Sequence, residues 1–436
     1  MLSAKENKAI IELIKREVIL AIGCTEPIAA ALCAAKAAQM LGCVPERISL
    51  KASANILKNA MGVGIPGTGM TGLPIALALG ALIQRPELQL QVLKDVTSEL
   101  VRQGVDLIDR DCISVELAPG DVDKLYIDVT VEASSHTTRA VISGGHTHFV
   151  HLERDGVYLG ISDSSACGEK NADNSTDTAL TLHKVWQFAT TAPLDDIRFI
   201  LDTAKVNLDA ARFALKGDYG HSVGKTMHCP RQRAIMGDSI FSRILSYTSA
   251  ACDARMGGAQ IPVMSNSGSG NQGISATIPV AILADESHAD EEHTIRALTL
   301  SHLTVIYIKQ SLGRLSALCG CVVAATGSSC GITYLMGGGY PEVAAAVKNM
   351  IANLTGMICD GAKPGCAIKV ASGTATAVIS AMMAMEGHRV DSSEGIIDDD
   401  VDRCIRNLTA IGSRGMNETD HLVLDIMTHK SRPGHS

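Results

Sequence analysis

Aromatic side chains are scarce in this chain: 3% of 436 residues, with a single Trp. The core must therefore be built from Ala, Ile, Leu, Val and Met, which the 46% hydrophobic content supplies in quantity. A net charge of −8, with no Lys/Arg-rich stripe and no aromatic interleaving, excludes a nucleic-acid footprint. The most apolar stretches, 69–83 and 371–385, fall short of a membrane span and contain Gly, Pro, Ser or Thr. The first twenty residues have no signal-peptide core; Ile10, Ile11, Ile14 and Val18 alternate with Lys and Glu as in an amphipathic helix. These absences predict a cytoplasmic protein whose 13 cysteines are reduced. They imply no nucleic-acid or membrane partner and leave a homo-oligomer open.

Repeats and low-complexity linkers are also missing, so the chain is organised by its hydrophobic period. Residues 1–44 read as an N-terminal helical segment that joins the catalytic domain, broken at Gly23-Cys24-Thr25-Glu26-Pro27. From 45 to 172 the pattern alternates: strands at 48–54, 112–117, 124–133, 139–143 and 147–152, with helices through 82 and over 87–103. From 173 to 436 the helical period returns, near 176–188, 194–204, 238–250, 290–311, 341–354, 372–386, 397–411 and 419–428. The expected fold class is α+β: a mainly α-helical catalytic domain with a smaller α+β domain near the N-terminus.

What is present in force is thiol. Cys359 and Cys366 are separated by a Gly/Pro-containing turn, and Cys319 lies forty positions upstream in Leu318-Cys319-Gly320-Cys321. Cys-x2-Cys knuckles are absent, so three thiols suit an iron–sulfur cube better than a closed four-ligand zinc site. A cube on three cysteines leaves one iron open as a Lewis acid. Composition does not rank Cys319 against Cys321. Cys33, Cys43, Cys112, Cys167, Cys229, Cys252, Cys330 and Cys404 are read as ordinary thiols.

Other motifs frame a ligand. Ser265-Asn266-Ser267-Gly268-Ser269-Gly270-Asn271-Gln272-Gly273 precedes a helix, and its backbone N–H groups suit a carboxylate or phosphate. The glycine-rich loop 62–69 lacks the Lys-Ser/Thr ending of a P-loop, which excludes nucleoside triphosphate. Asn55, Lys58 and Asn59 either line a polar site or cap a short exposed helix. Cys24 sits at a helix start, where the dipole favours thiolate; burial and Glu26 oppose it. His146 and His148 are expected on one strand face, with His151 on the other.

Taken in order, these segments resemble the L-cysteine desulfidase family over essentially the whole length. The landmarks are Gly23-Cys24-Thr25-Glu26-Pro27, Pro66-Gly67-Thr68-Gly69-Met70, Gly144-Gly145-His146-Thr147, Asp253-Ala254-Arg255-Met256-Gly257-Gly258, the loop 265–273, Leu315-Ser316-Ala317-Leu318-Cys319 and the segment 357–366. That family looks related to the iron–sulfur L-serine dehydratases. The resemblance implies a [4Fe–4S] cluster on Cys319, Cys359 and Cys366, favours Cys319 over Cys321, and points to Cys24 as proton acceptor. It implies substrate binding by Ser265, Asn266, Ser267, Gly268, Ser269, Gly270 and Asn271. The dehydratases end in a cysteine that can reach the cluster, whereas this chain ends Arg432-Pro433-Gly434-His435-Ser436, so self-inhibition by the tail is not carried over.

The implied reaction is β-elimination from L-cysteine: the open iron binds thiolate and carboxylate, Cys24 removes the α-proton, and sulfide, ammonia and pyruvate result. L-Serine deamination at the same site is the nearest alternative. A pyridoxal-phosphate lyase needs a Schiff-base lysine, for which Lys58, Lys205, Lys363 and Lys369 offer no recognisable setting. A non-catalytic iron–sulfur sensor needs a partner surface that the acidic remainder does not supply.

Overall fold

The computed structural model describes residues 2–160, 179–313 and 316–429, Arg233 by its backbone alone. Cys167, Leu315, the boundary expected at 172 and the tail 432–436 lie outside the described residues. Within them the chain is mainly helical with one mixed sheet, the α+β class that the sequence predicts. The strands are β1 (Leu20–Ile22), β2 (Arg47–Ala52), β3 (Ile113–Leu117), β4 (Tyr126–Ala133), β5 (His136–Ser143), β6 (Phe149–Arg154), β7 (Val157–Tyr158) and β8 (Pro262–Met264). The sheet order is β3-β2-β4-β5-β6-β7, antiparallel except where β2 runs parallel to β3. Separately, β1 pairs antiparallel with β8 and ties the N-terminal segment to the helical part.

Two large cores result, and the helices of residues 1–44 divide between them. The helix Ala4–Glu17 buries Ile10, Leu13 and Ile14 in the helical core with Phe188, Leu298 and Leu303. The helix Thr25–Leu41 belongs instead to the sheet, packed with Leu50, Val129 and Ile142. Its run of alanines permits this, because small side chains let the helix lie close over β4 and β5. Thr138 Oγ1 donates to Ala37 O at 2.8 Å, and the Cys33 thiol to Ala140 O at 3.1 Å. Gly80, in the helix Leu73–Ile83, abuts the backbone of Ala31 so closely that a Cβ there would lie 2.7 Å from the Ala31 carbonyl carbon.

Three departures from the sequence reading have local causes. The helix expected over 87–103 is a 3₁₀ turn, Pro86–Gln91, followed by a separate helix, Ser98–Asp109, because Thr97 caps the second one by accepting from Leu100 N. Gly320–Leu335, rich in Gly, Ser, Thr and Cys and so without a helical signature, is a 16-residue helix. Its hydroxyls bond back to their own helix, as in Thr326 Oγ1 to Val322 O and Thr333 Oγ1 to Ser329 O, both 2.8 Å. Gly327 lets it approach the helix Glu291–Leu312, where a Cβ would be 2.5 Å from Ser301 O. Finally, Cys366–Met385 is a 20-residue helix, longer than the apolar stretch read from sequence. Among the described residues it is long and apolar enough to cross a membrane by length and composition, yet it packs against the helices Ile240–Met256, Gly320–Leu335 and Tyr340–Leu354.

The last helix, Asn417–Thr428, returns to the sheet unit. Leu424 is buried in that core, and Asp420 pairs with Lys58, which is only 2% exposed, on the helix Ala54–Ala60. Of the two readings of Asn55, Lys58 and Asn59, the exposed cap is corrected, since Ser53 caps the helix and Lys58 and Asn59 are buried; all three line the cavity between the two units.

Candidate functional site

The three cysteines reach one cavity because two loops pair. Leu318 and Ile358 form an antiparallel bridge, with Cys319 N donating to Met357 O at 2.9 Å and Cys359 N to Ala317 O at 2.6 Å. Cys319 is the residue capping the helix Gly320–Leu335, and Cys366 opens the helix Cys366–Met385. Between Cys359 and Cys366 the chain turns through Gly361 at φ +88, where it abuts the Lys58 carbonyl too closely for any side chain. Cys319, Cys321, Cys359 and Cys366 all line one cavity of about 900 Å³ between the helical and sheet units.

Electrostatics separate Cys319 from Cys321. Their sulfurs are 3.3 Å apart. The Cys319 thiol is drawn down to about 7, first by the hydrogen bond from the Cys321 thiol and then, against burial, by the Cys321 N–H and the charge of Lys369. Cys321 moves upward through that same bond and its burial, and its sulfur also contacts Met357 Sδ at 3.2 Å and Lys369 O at 3.5 Å. Burial raises Cys359, with Cys319 adding to it; burial, Cys319 and Cys359 carry Cys366 up to about 11. Lys58 and Lys369 favour the Cys359 thiolate, and Lys363 that of Cys366.

This donor set fits a cluster. Among the described residues no three His, Cys, Asp or Glu side chains converge on a single ion. A cube takes one thiolate at each of separate corners, and the cysteines that line this cavity, with Lys58, Lys363 and Lys369 beside them, are the residues present that could hold one.

Cys24 stands in the same wall, packed with Val63, Cys252, Met256, Cys319 and Cys321. It caps the Thr25 helix, but it is 2% exposed, and burial pushes its thiol up to about 12 against the pull of Arg255. Desolvation thus outweighs the helix start in the free protein. The preceding Gly23, at φ +69, abuts Pro66. The loop 62–69 does not line the cavity; it docks on the landmark 253–258, with Gly64 N donating to Met256 O at 2.9 Å and Gly67 N to Gly258 O at 3.2 Å. Those glycines serve close backbone approach: a Cβ on Gly64 would lie 2.5 Å from the Gly257 carbonyl carbon.

The loop 265–273 divides its labour. Ser265 Oγ donates to Ile19 O at 2.8 Å, Ser267 Oγ to Asn266 Oδ1 at 2.8 Å, and Asn266 Nδ2 reaches His302 Nδ1 at 3.0 Å. Ser265, Asn266 and Gly270 do not line the cavity; Ser267, Gly268, Ser269, Asn271 and Gln272 do. Ser267 at φ 47 and Gly268 at φ 79 make the turn that presents them. His146 is at the cavity wall in the turn after β5, with His148 Nδ1 against Ser143 O at 2.9 Å, so neither sits on the strand face expected.

Three residues matter here that the sequence motifs did not single out for a role. Arg255, 5% exposed, lines the cavity and donates from Nη1 to Asn271 Oδ1 at 3.1 Å. Its only sequence signal was membership of the landmark 253–258. Gln272 is the residue after the predicted binding set. His302, fully buried, fixes the loop: Thr277 Oγ1 donates to Gly273 O at 2.7 Å, so it accepts from His302 Nε2 at 3.0 Å, and His302 Nδ1 accepts from Asn266.

A thiol-walled cavity between a helical unit and a small mixed sheet agrees with what comparison of the sequence shows. The model of the Serine dehydratase alpha chain family matches residues 87–425, and the chain belongs to that family of lyase-like enzymes. It is also 65% identical to a UPF0597 protein of Bacteroides fragilis, over 98% of this chain and 100% of the other. A UPF0597 protein of Parabacteroides distasonis is 60% identical over 97% of this chain and 98% of its own length, and one of Photobacterium profundum 44% identical over 96% and 98%.

Proposed function

We propose that the protein is an L-cysteine desulfidase, eliminating sulfide from L-cysteine in the reducing cytoplasm. The observation that carries this reading is the placement of Cys24 in one cavity with Cys319, Cys359 and Cys366. When bound by those three thiolates, a [4Fe–4S] cluster supplies an open Lewis-acidic iron for the leaving sulfur. The chain's own residues do the rest. Cys24 takes the α-proton at its Sγ, with the Arg255 charge stabilising the thiolate that burial disfavours. Ser267, Gly268, Ser269 and Asn271 border the bound amino acid. Aminoacrylate is released, then tautomerises and hydrolyses to pyruvate and ammonia.

The family's description favours a second reading, L-serine dehydration by the same elimination with hydroxide as leaving group. A pyridoxal-phosphate mechanism has little support: Lys58 is paired with Asp420, Lys363 and Lys369 with Asp360, and Lys205 is exposed. The test is anaerobic purification with iron and acid-labile sulfide analysis, followed by sulfide and pyruvate release from L-cysteine and L-serine. Faster turnover of L-cysteine is expected. Pyruvate from L-serine alone assigns the dehydratase, and turnover of neither by fully loaded protein overturns the elimination reading.

A further inference from the structure

Two buried polar atoms of opposite character, on side chains that line the cavity, have no partner. Arg255 Nε has no acceptor, and Gln272 Oε1 has no donor. Both side chains are more than nine-tenths buried, at 5% and 4% exposure, so water does not readily make up the loss. Nor is the guanidinium charge balanced: Lys58 and Lys369 pair with Asp420 and Asp360, whereas among the described residues no carboxylate pairs with Arg255.

The surroundings keep these atoms available. Gly270 has no side chain where a Cβ would strike Arg255, 2.8 Å from Cδ and 2.9 Å from Cζ. Gly270 also begins the 17-residue helix Gly270–Glu286, and Ser269 makes no side-chain bond to that helix's first turn. Free N–H groups and the positive end of the helix dipole thus lie beside the guanidinium. Gln272 packs against Gly320, the residue after Cys319, with a Cβ there only 3.2 Å from Gln272 Cδ. The unmatched acceptor is therefore next to the proposed cluster ligand, and the guanidinium that carries the unmatched donor is bonded through Nη1 to Asn271, the residue before Gln272.

We infer that Arg255 and Gln272 form a zwitterion clamp, Arg255 binding the α-carboxylate of the amino-acid substrate and Gln272 accepting a hydrogen bond from its α-ammonium. This rests on the elimination reading for the identity of the substrate, and gives the site its selectivity for free α-amino acids over peptides, amides and simple carboxylates. Asn271 is the positioning residue that holds the guanidinium. The side chains of Ser265 and Asn266 brace the loop and touch no substrate.

The clamp is tested with ligands that cannot eliminate. L-Alanine, L-alaninamide and propionate are titrated calorimetrically into anaerobic, cluster-loaded protein. Removing one charge-assisted contact should weaken binding about ten- to hundredfold, so L-alaninamide and propionate should each bind that much more weakly than L-alanine. Arg255→Gln should erase the difference between L-alanine and L-alaninamide while keeping the difference from propionate, and Gln272→Met should do the reverse. Arg255→Lys should retain part of the carboxylate preference, and with the wild-type series it decides the matter if Arg255→Gln does not fold. Equal binding of L-alanine and L-alaninamide by wild type, no binding of L-alanine, or unchanged discrimination in Arg255→Gln overturns the clamp. Discrimination among these ligands without elimination of L-cysteine or L-serine leaves the clamp standing and removes the elimination reading instead.

Discussion

Acid should weaken the fold through one buried side chain, His302, which braces the loop at the site. Burial pushes its pKa down from 6.5 to about 3. The unfolded chain therefore binds a proton between those values that the folded chain refuses, and stability falls with pH throughout that window. The contribution is complete above about 6.5. At pH 5 the loss is about 2 kcal/mol, from a slope near 1.4 kcal/mol per pH unit below the unfolded pKa. Asp253 titrates in the same range with the opposite sign, because burial raises it to about 6, so wild type alone cannot isolate His302. The decisive comparison is with His302→Asn, whose amide can take the place of Nδ1 as acceptor for Asn266 but cannot gain a proton. That variant should be less stable than wild type at pH 7, and the gap should narrow by about 2 kcal/mol at pH 5, read from denaturant midpoints of both proteins in the same cluster state. A gap that does not change with pH would falsify the buried, neutral His302.

The other expectations follow from the thiols and from one helix contact. Cys319→Ser, Cys359→Ser and Cys366→Ser should each lower iron and labile sulfide in anaerobic protein, while Cys330→Ser, whose thiol is bonded to Thr326 O inside a helix, should not; loss of the cluster in Cys321→Ser with its retention in Cys319→Ser would reverse the ligand assignment. Cys24→Ala should keep the cluster's absorption and lose elimination and α-proton exchange by about 10²–10⁴-fold. Retained exchange of the α-proton with solvent deuterium in that variant moves the base elsewhere. Gly80→Ala should lower the thermal midpoint, since an overpacking cost of about 1–3 kcal/mol against the Ala31 backbone exceeds the roughly 1 kcal/mol gained in helix propensity; a raised midpoint would show that the two helices can separate freely.

Much of this molecule is legible residue by residue, because local chemistry decides it. Strands β2 to β6 lie close to where apolar and polar residues alternate, and the helices Glu291–Leu312 and Tyr340–Leu354 lie within a residue or two of their predicted spans. The fold class follows from those periods, as does the placing of Cys359 and Cys366 on either side of a turn. Family landmarks marked the right segments without explaining them: the glycines of 62–69 and 257–258 are there so that one backbone can rest on another. The helix Gly320–Leu335 was illegible for the opposite reason, since its residues are poor helix formers that only burial among neighbouring helices stabilises.

Sequence by itself determined which residues could be thiol ligands and which segments would turn, cap or pair, since these depend on side-chain type and short spacing. Tertiary structure alone decided that Cys24 is a buried thiol instead of an exposed helix-start thiolate, because desolvation depends on what surrounds the sulfur. It also paired Lys58 with Asp420 across 362 positions, left Arg255 Nε and Gln272 Oε1 without partners on side chains of the cavity wall, and gave Cys319 the lower pKa of its pair. Charge balance and polar satisfaction are sums over neighbours distant in the chain, and no local spacing rule contains them.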